Sequence, residues 1–291
     1  MSYLAAVRRE ARCTLVGFAV VLAVAQSARA ATTSCPPSPY LSARPLIIAH
    51  ASGSYFGPPN TIEMMRAAIA AGADVVDADV RTTKDGVLVA SHDDTVRVDA
   101  THTVSIAATK YAELSRVDLG NTWVGPRHDR PLAGRGVHVP TIDAILRAFP
   151  GRRVGLEFKT TGGESSMCTL LRTQHRTGDA FVSSAGDAAV DRFKPLCPEV
   201  TTTVIDAMVV EFEKAQATGG PWCAPVKIGQ PPLASGTFRL TRAEVSWDHA
   251  HGLADFTWTA DDQASLTAAA ALGVDGVYTA RPDLARTIFR R

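Results

Sequence analysis

A chain of 291 residues with 30 Lys and Arg against 29 Asp and Glu carries a formal net charge of +1. That balance excludes the basic excess by which proteins hold nucleic-acid backbones. A composition 46% hydrophobic and 20% charged supplies a sizeable core and excludes a disordered chain.

Arg8, Arg9 and Arg12 precede an apolar run over 15–25, and Ala28-Arg29-Ala30 has the small-residue pattern of a signal-peptidase site. This arrangement predicts a secretory signal over 1–30 and a mature domain over 31–291. The apolar run is far shorter than the ~20 residues that cross a bilayer, so no stable membrane span is expected. The mature region keeps Cys35, Cys168, Cys197 and Cys223. An oxidising compartment would join these into two disulfides, and none of their spacings suits zinc. Cys197 and Cys223 each fall shortly before a predicted strand, which would place them at one end of the fold and pair them with each other.

Short apolar, β-branched runs at 46–50, 74–80, 153–158, 180–184, 200–205, 225–229, 254–258 and 275–278 read as strands. Helical patterns at 61–71, 141–149, 166–176, 188–196, 207–217, 242–251 and 261–272 lie between most of them. Alternation of this kind implies parallel strands joined by crossover helices. Eight strands in about 250 residues predict an α/β fold, a (β/α)8 TIM barrel with its active site at the C-terminal ends of the strands. After the second strand, Lys84-Asp85-Gly86 is a turn signal and 87–91 an extra strand, together a hairpin on the rim. Residues 95–139 show no long periodic helix and are expected to form an insertion, either a lid over the mouth or a small subdomain.

In such a barrel the polar residues at strand ends carry the chemistry. His50 ends the first strand, Asp77 and Asp79 sit on the second, His92 closes the rim strand, and Glu157 and Lys159 end the third. Residues two apart on a strand face the same way, so Asp77 projects with Asp79 and Glu157 with Lys159. Three carboxylates converging in one mouth repel one another without a cation, and oxygen donors suit Mg²⁺ or Ca²⁺. Of two histidines beside such an ion, one can take a proton from an attacking hydroxyl while the other gives one to a leaving oxygen. The ion and Lys159 would bear phosphoryl charge, so the set reads as metal-assisted phosphodiester cleavage.

These residues belong to a longer series. Ile48-Ala49-His50, Pro58-Pro59-Asn60-Thr61, the 74–80 strand, Thr83-Lys84-Asp85-Gly86, Ser91-His92-Asp93-Asp94, Val139-Pro140-Thr141, Leu156-Glu157-Phe158-Lys159, Val182-Ser183-Ser184, Trp258-Thr259 and the closing 273–283 follow in order. The series resembles the glycerophosphodiester phosphodiesterase family over nearly all of the mature chain. The resemblance implies a barrel enzyme that hydrolyses glycerophosphodiesters to glycerol 3-phosphate and an alcohol with a divalent cation. It implies His50 and His92 as the acid–base pair, Asp77, Asp79 and Glu157 as metal ligands, Lys159 as a phosphate-binding lysine, and Trp258 as part of the substrate pocket.

The departures from the family pattern are specific. Ala51 stands where the family has an Arg that grips phosphate, and a methyl group does not replace a planar bidentate donor. Pro59 replaces a Glu, Asp77 shortens a Glu by one methylene, and Ala280 replaces an Asp. An Arg or His of the insertion (Arg127, Arg130, Arg135, His102, His128 or His138) is a candidate to supply the lost phosphate contact. Two other readings stay open: a phospholipase D or sphingomyelinase-like lipid phosphodiesterase, and a non-catalytic extracellular barrel that binds a ligand.

Overall fold

The computed structural model of the protein describes residues 35–125, 127–219 and 222–290; the expected leader over 1–30 lies outside them. Eight parallel strands form the barrel: β1 Leu46–Ala49, β2 Val75–Thr82, β3 Arg153–Phe158, β4 Ala180–Ser184, β5 Thr201–Thr202, β6 Ile228–Gly229, β7 Ala254–Thr257 and β8 Gly276–Thr279. Their order in the sheet is β5-β4-β3-β2-β1-β8-β7-β6. A parallel bridge from Thr203 to Ile228 links the two ends, so the ring is nearly closed. On that side β5 and β6 are only two residues each, shorter than the 200–205 and 225–229 runs, because the ladder between them shrinks to this single bridge.

Side-chain alternation splits the core in two. Ile48, Val75, Phe181, Ile228, Phe256 and Tyr278 fill the barrel interior. Ile47 and Ala49, which flank Ile48 on β1, point outward into the layer beneath the helices. Glycine makes the interior possible: a Cβ on Gly276 would sit 2.5 Å from the Phe256 ring, and one on Gly155 2.8 Å from both Asp77 and Phe181.

The helices are α1 Ile62–Ala71, α2 Ile142–Ala148, α3 Glu164–Thr173, α4 Asp187–Leu196, α5 Asp206–Thr218, α6 Arg242–Ala250, α7 Gln263–Leu272 and α8 Pro282–Phe289. The helix expected over 166–176 stops at Thr173 because His175 takes the left-handed φ of 56°. The sequence pattern assigns nothing to α8. Yet Pro282 at its start and Asp283 in its first turn are ordinary initiation signals. Ala285 and Phe289 bury that short helix against Ala68 of α1.

After β2 the strand Leu88–Ala90 folds back antiparallel, pairing Val80 with Ala90 and Thr82 with Leu88. The insertion follows as a small hairpin, Thr95–Arg97 against Thr103–Ser105, and a single turn of helix at Tyr111–Leu114. Val89, Val96, Ile106, Leu114 and Val139 give it a core of its own.

Both disulfides differ from the expected Cys197–Cys223 pair. Cys35 joins Cys223 and Cys168 joins Cys197, with Cα separations of 5.3 and 5.6 Å. Cys197, just past the end of α4, is buried beside Cys168 of the neighbouring α3, so helix packing and not strand order decides its partner.

Candidate active site

The C-terminal end of β1 turns sharply. His50–Ser52 make one 3₁₀ turn, and Ala51, Ser52 and Gly53 take φ values of 45°, 66° and 75°. The first two are unfavourable for residues with a Cβ, at a cost of order 1–2 kcal/mol each. Bonds from both sides hold the turn: Ser52 Oγ donates to the Asp77 carbonyl at 3.0 Å and Asn60 N–H to the Ala51 carbonyl at 3.1 Å. The result presents the half-buried His50 ring edge-on to Tyr278, with centroids 6.2 Å apart. Burial lowers the His50 pKa, and the nearby carboxylates of Asp79, Asp261 and Glu157 oppose that shift only in part.

Asp77, Asp79 and Glu157 converge at the ends of β2 and β3, where Asp79 and Glu157 are paired in register. Lys159 Nζ bridges them at 3.0 Å from Asp79 Oδ1 and 2.9 Å from Glu157 Oε1, with its side chain only 12% exposed. Asn60 fixes the other side of Asp79, donating to Oδ2 at 2.7 Å while accepting from the Asp79 N–H at 2.9 Å. Asp77 is buried. Loss of water, followed by the charges of Asp79 and Glu157, pushes its carboxyl well above the ordinary range, although the Ala51 N–H and Lys159 favour the ionised form. Burial works against the Lys159 charge too, but Glu157 and Asp79 outweigh it and raise its pKa.

Three carboxylates against one ammonium leave a buried deficit of positive charge, and all the acidic donors are hard oxygens. That chemistry fits a divalent cation. Among the described residues, the sole trio of acidic, His or Cys ligand atoms within 4.8 Å of one another is Cys168, Cys197 and Glu199. Its sulfurs are joined in a disulfide, so that trio has no free thiolates for a metal; Asp77, Asp79 and Glu157, as a trio, stand farther apart than 4.8 Å. At the barrel mouth, Lys159 occupies the position between two of the carboxylates.

His92 follows the rim hairpin beside β2. Ser91 N–H donates to the Asp79 carbonyl at 2.9 Å as the last rung of the rim hairpin, and His92 follows with its side chain 61% exposed. Its Nδ1 meets Asp93 Oδ1 at 2.9 Å. Trp258, 39% exposed at the end of β7, donates from Nε1 to the Gln230 carbonyl at 2.8 Å, and Gln230 Nε2 donates to the Tyr278 hydroxyl at 2.5 Å. The structure therefore gathers His50, Asp77, Asp79, Glu157, Lys159, His92 and Trp258 at one end of the barrel.

The sequence model of the Glycerophosphoryl diester phosphodiesterase family matches residues 50–284. The chain belongs to that family. YhdW of Bacillus subtilis, which carries the name of a glycerophosphodiester phosphodiesterase, is 30% identical over 81% of this chain and 95% of its own length. The glycerophosphodiester phosphodiesterase of Caldanaerobacter subterraneus is 24% identical over 84% of this chain and 98% of its own. Among solved structures, the glycerophosphoryl diester phosphodiesterase domain of a Mycobacterium tuberculosis protein superposes with a TM-score of 0.73 at 19% identity, covering 85% of this chain and all of that domain. An Oleispira antarctica phosphodiesterase, solved with the product sn-glycerol-3-phosphate, superposes at 0.66 and 22% identity over 85% and 98% of the two chains.

As a member of the family, the protein is a phosphoric diester hydrolase. In this phosphodiesterase three of the insertion's candidates for the cation lost at Ala51 are engaged elsewhere. Arg130 donates to the Asn121 carbonyl, Arg127 pairs with Asp129, and His138 Nδ1 bonds the Val117 carbonyl, all within the insertion itself. Arg281 does stand at the mouth. Its guanidinium lies 4.4 Å above the Tyr55 ring and donates from Nε and Nη2 to the two Asp283 carboxylate oxygens, each at 2.9 Å.

Sequence reasoning passed over four residues that the fold brings to the site: Asn60, Tyr278, Asp261 and Arg281. Asn60, Tyr278 and Arg281 fall within the motif series, and an Asn before a helix tolerates the left-handed φ of 60° found at Asn60. Asp261 accepts from the Ala280 N–H and the Thr279 hydroxyl, which joins the β7 and β8 loops beside His50. That contact has no sequence signature.

Proposed function

We propose that this phosphodiesterase is an exported, divalent-cation-dependent hydrolase of glycerophosphodiesters in which His50 and His92 perform the proton transfers. The observation that carries the reading is a cluster of three carboxylates and one lysine at the end of the barrel where both His50, after β1, and His92, after the rim hairpin, emerge. The Oleispira structure with glycerol 3-phosphate bound supports the substrate class. The predicted leader and the two disulfides support export.

His50, kept neutral by burial, accepts the proton of the attacking water as its oxygen bonds to phosphorus. The bond from phosphorus to the alcohol oxygen breaks. His92 Nε2, with Nδ1 committed to Asp93, gives its proton to that leaving oxygen. Atoms balance as one water consumed and glycerol 3-phosphate plus an alcohol formed. Lys159 offers its charge to the phosphoryl oxygens beside Asp79 and Glu157. A Mg²⁺ or Ca²⁺ held by Asp77, Asp79 and Glu157 supplies Lewis-acid stabilisation when bound. Trp258 lines the approach for the alcohol group.

The test is glycerol 3-phosphate release from glycerophosphocholine and glycerophosphoethanolamine, with Mg²⁺, Ca²⁺ or chelator, beside His50→Ala. Release that needs a divalent ion and disappears in the variant is the expected result. Activity that survives exhaustive chelation refutes the metal assignment. Release from lysophospholipids with none from the deacylated diesters would favour the lipid phosphodiesterase reading.

A further inference from the structure

We infer that Arg81 is a positioning residue for proton donation, a brace that ties His92 to the rigid wall of the barrel. The inference rests on the proposed role of His92 as the acid. Arg81 lies on β2 two residues past Asp79 and four past Asp77, so all three share the face that looks toward the mouth. Its guanidinium donates twice to one acceptor, the backbone carbonyl of His92, from Nε at 3.0 Å and from Nη2 at 2.6 Å. The Nε bond lies in the ordinary range and the Nη2 bond at its short edge, and the rigid planar fork fixes direction as well as distance.

The need for a brace follows from where the hairpin ends. The antiparallel ladder runs to the Val80–Ala90 pair and closes with Ser91 N–H on the Asp79 carbonyl. Regular backbone pairing resumes only at Asp94, whose carbonyl accepts from Ile106 N–H at 2.9 Å. Between those points His92 and Asp93 expose 61% and 78% of their side chains, so packing does not place them. Among the described residues three polar contacts do: Arg81 on the His92 carbonyl, Ser91 Oγ on the Asp93 carbonyl at 2.9 Å, and Asp93 on His92 Nδ1. Of these, Arg81 alone anchors the segment to a barrel strand; the other two are internal to it. An acid displaced by about 1 Å loses roughly a hundredfold in rate while substrate binding is spared, because the proton moves only in the transition state.

The experiment compares wild type, Arg81→Ala, Arg81→Lys and His92→Ala on two diesters. Glycerophosphoethanolamine expels an aliphatic alkoxide, which must be protonated as it leaves. The p-nitrophenyl ester of glycerol 3-phosphate expels a phenolate that leaves unaided. Arg81→Ala is expected to lower kcat on the first roughly 10- to 100-fold with KM within about threefold, and to change kcat on the second by less than about threefold. Arg81→Lys, able to donate one bond to the same carbonyl, should recover part of the loss, which a general loss of folding would not. His92→Ala should show the same selectivity more strongly. Equal rates for Arg81→Ala and wild type, or equal losses on both substrates, overturn the brace while leaving the acid assignment intact. A His92→Ala enzyme with no preference between leaving groups overturns the acid assignment and the brace with it.

Discussion

Raising the pH should loosen the barrel at one identifiable pair of carboxyls. Asp255 of β7 is wholly buried against α6, where among the described residues its carboxyl meets no donor but the neighbouring Asp248 carboxyl. Asp248 of α6 is 6% exposed with Oδ1 unpartnered. The groups facing them are mostly acidic: Glu244 on α6, and Asp275 from the turn before β8, itself bonded to His249 at 2.7 Å. Gly229 of β6 leaves no room for another side chain, since a Cβ there would lie 2.9 Å from Asp255 Oδ1. Burial first, then mutual repulsion, drives Asp255 well above its usual value, and burial brings Asp248 to about 7. The folded pair therefore keeps a proton that the unfolded chain gives up near pH 4. Its contribution to stability is fully present below about pH 4 and is lost as pH rises toward 7. Three pH units at about 1.4 kcal/mol each make that loss about 4 kcal/mol, or about 10 °C in Tm for a domain of this size. Asp255→Asn keeps the shape, donates an amide N–H to Asp248 and does not titrate. Melting measured from pH 4 to 8 in chelator should fall more steeply in wild type, with the variant removing at least half of the difference. Asp77, whose pKa is also raised, contributes equally to both proteins and cancels. Parallel curves for the two proteins across this range would refute the reasoning.

Asn60→Ala removes both bonds to Asp79, a proposed metal ligand, and should lower kcat/KM roughly 10- to 100-fold, as the loss of such supporting bonds commonly does; steady-state kinetics at saturating Mg²⁺ or Ca²⁺ check it. Lys159→Met strips the cation from between Asp79 and Glu157 and should destabilise the metal-free protein by about 3–5 kcal/mol. Divalent ions should then raise its Tm more than they raise that of wild type, and an unchanged melting curve in chelator would count against the charge argument. Cutting the Cys35–Cys223 bridge, with a sequence separation of 188, should cost about 5 kcal/mol against about 4 kcal/mol for Cys168–Cys197 at 29, by loop entropy; denaturant titration of the two paired-serine variants orders them. Phe256→Ala should cost about 3–5 kcal/mol, because Gly276 and Gly155 leave the inner ring nothing with which to fill the space.

The sequence by itself determined the barrel. Its strands are short and apolar on both faces, its helices intervene at regular spacing, and residues two apart on β2 and β3 must share a face, so Asp77 with Asp79 and Glu157 with Lys159 followed from period alone. Local chemistry of that kind is written in adjacent residues. What only the tertiary structure decided was every contact between loops of different strands. Lys159 lying between two carboxylates, Asn60 gripping Asp79, Arg81 bracing His92, and Cys168 taking Cys197 join residues from 2 to 80 positions apart, brought together by ring closure and helix packing. The buried acid pair shows the same limit. Nothing in the chain marks Asp248 and Asp255 as a pair, and only the removal of water between α6 and β7 raises both carboxyls above their ordinary range.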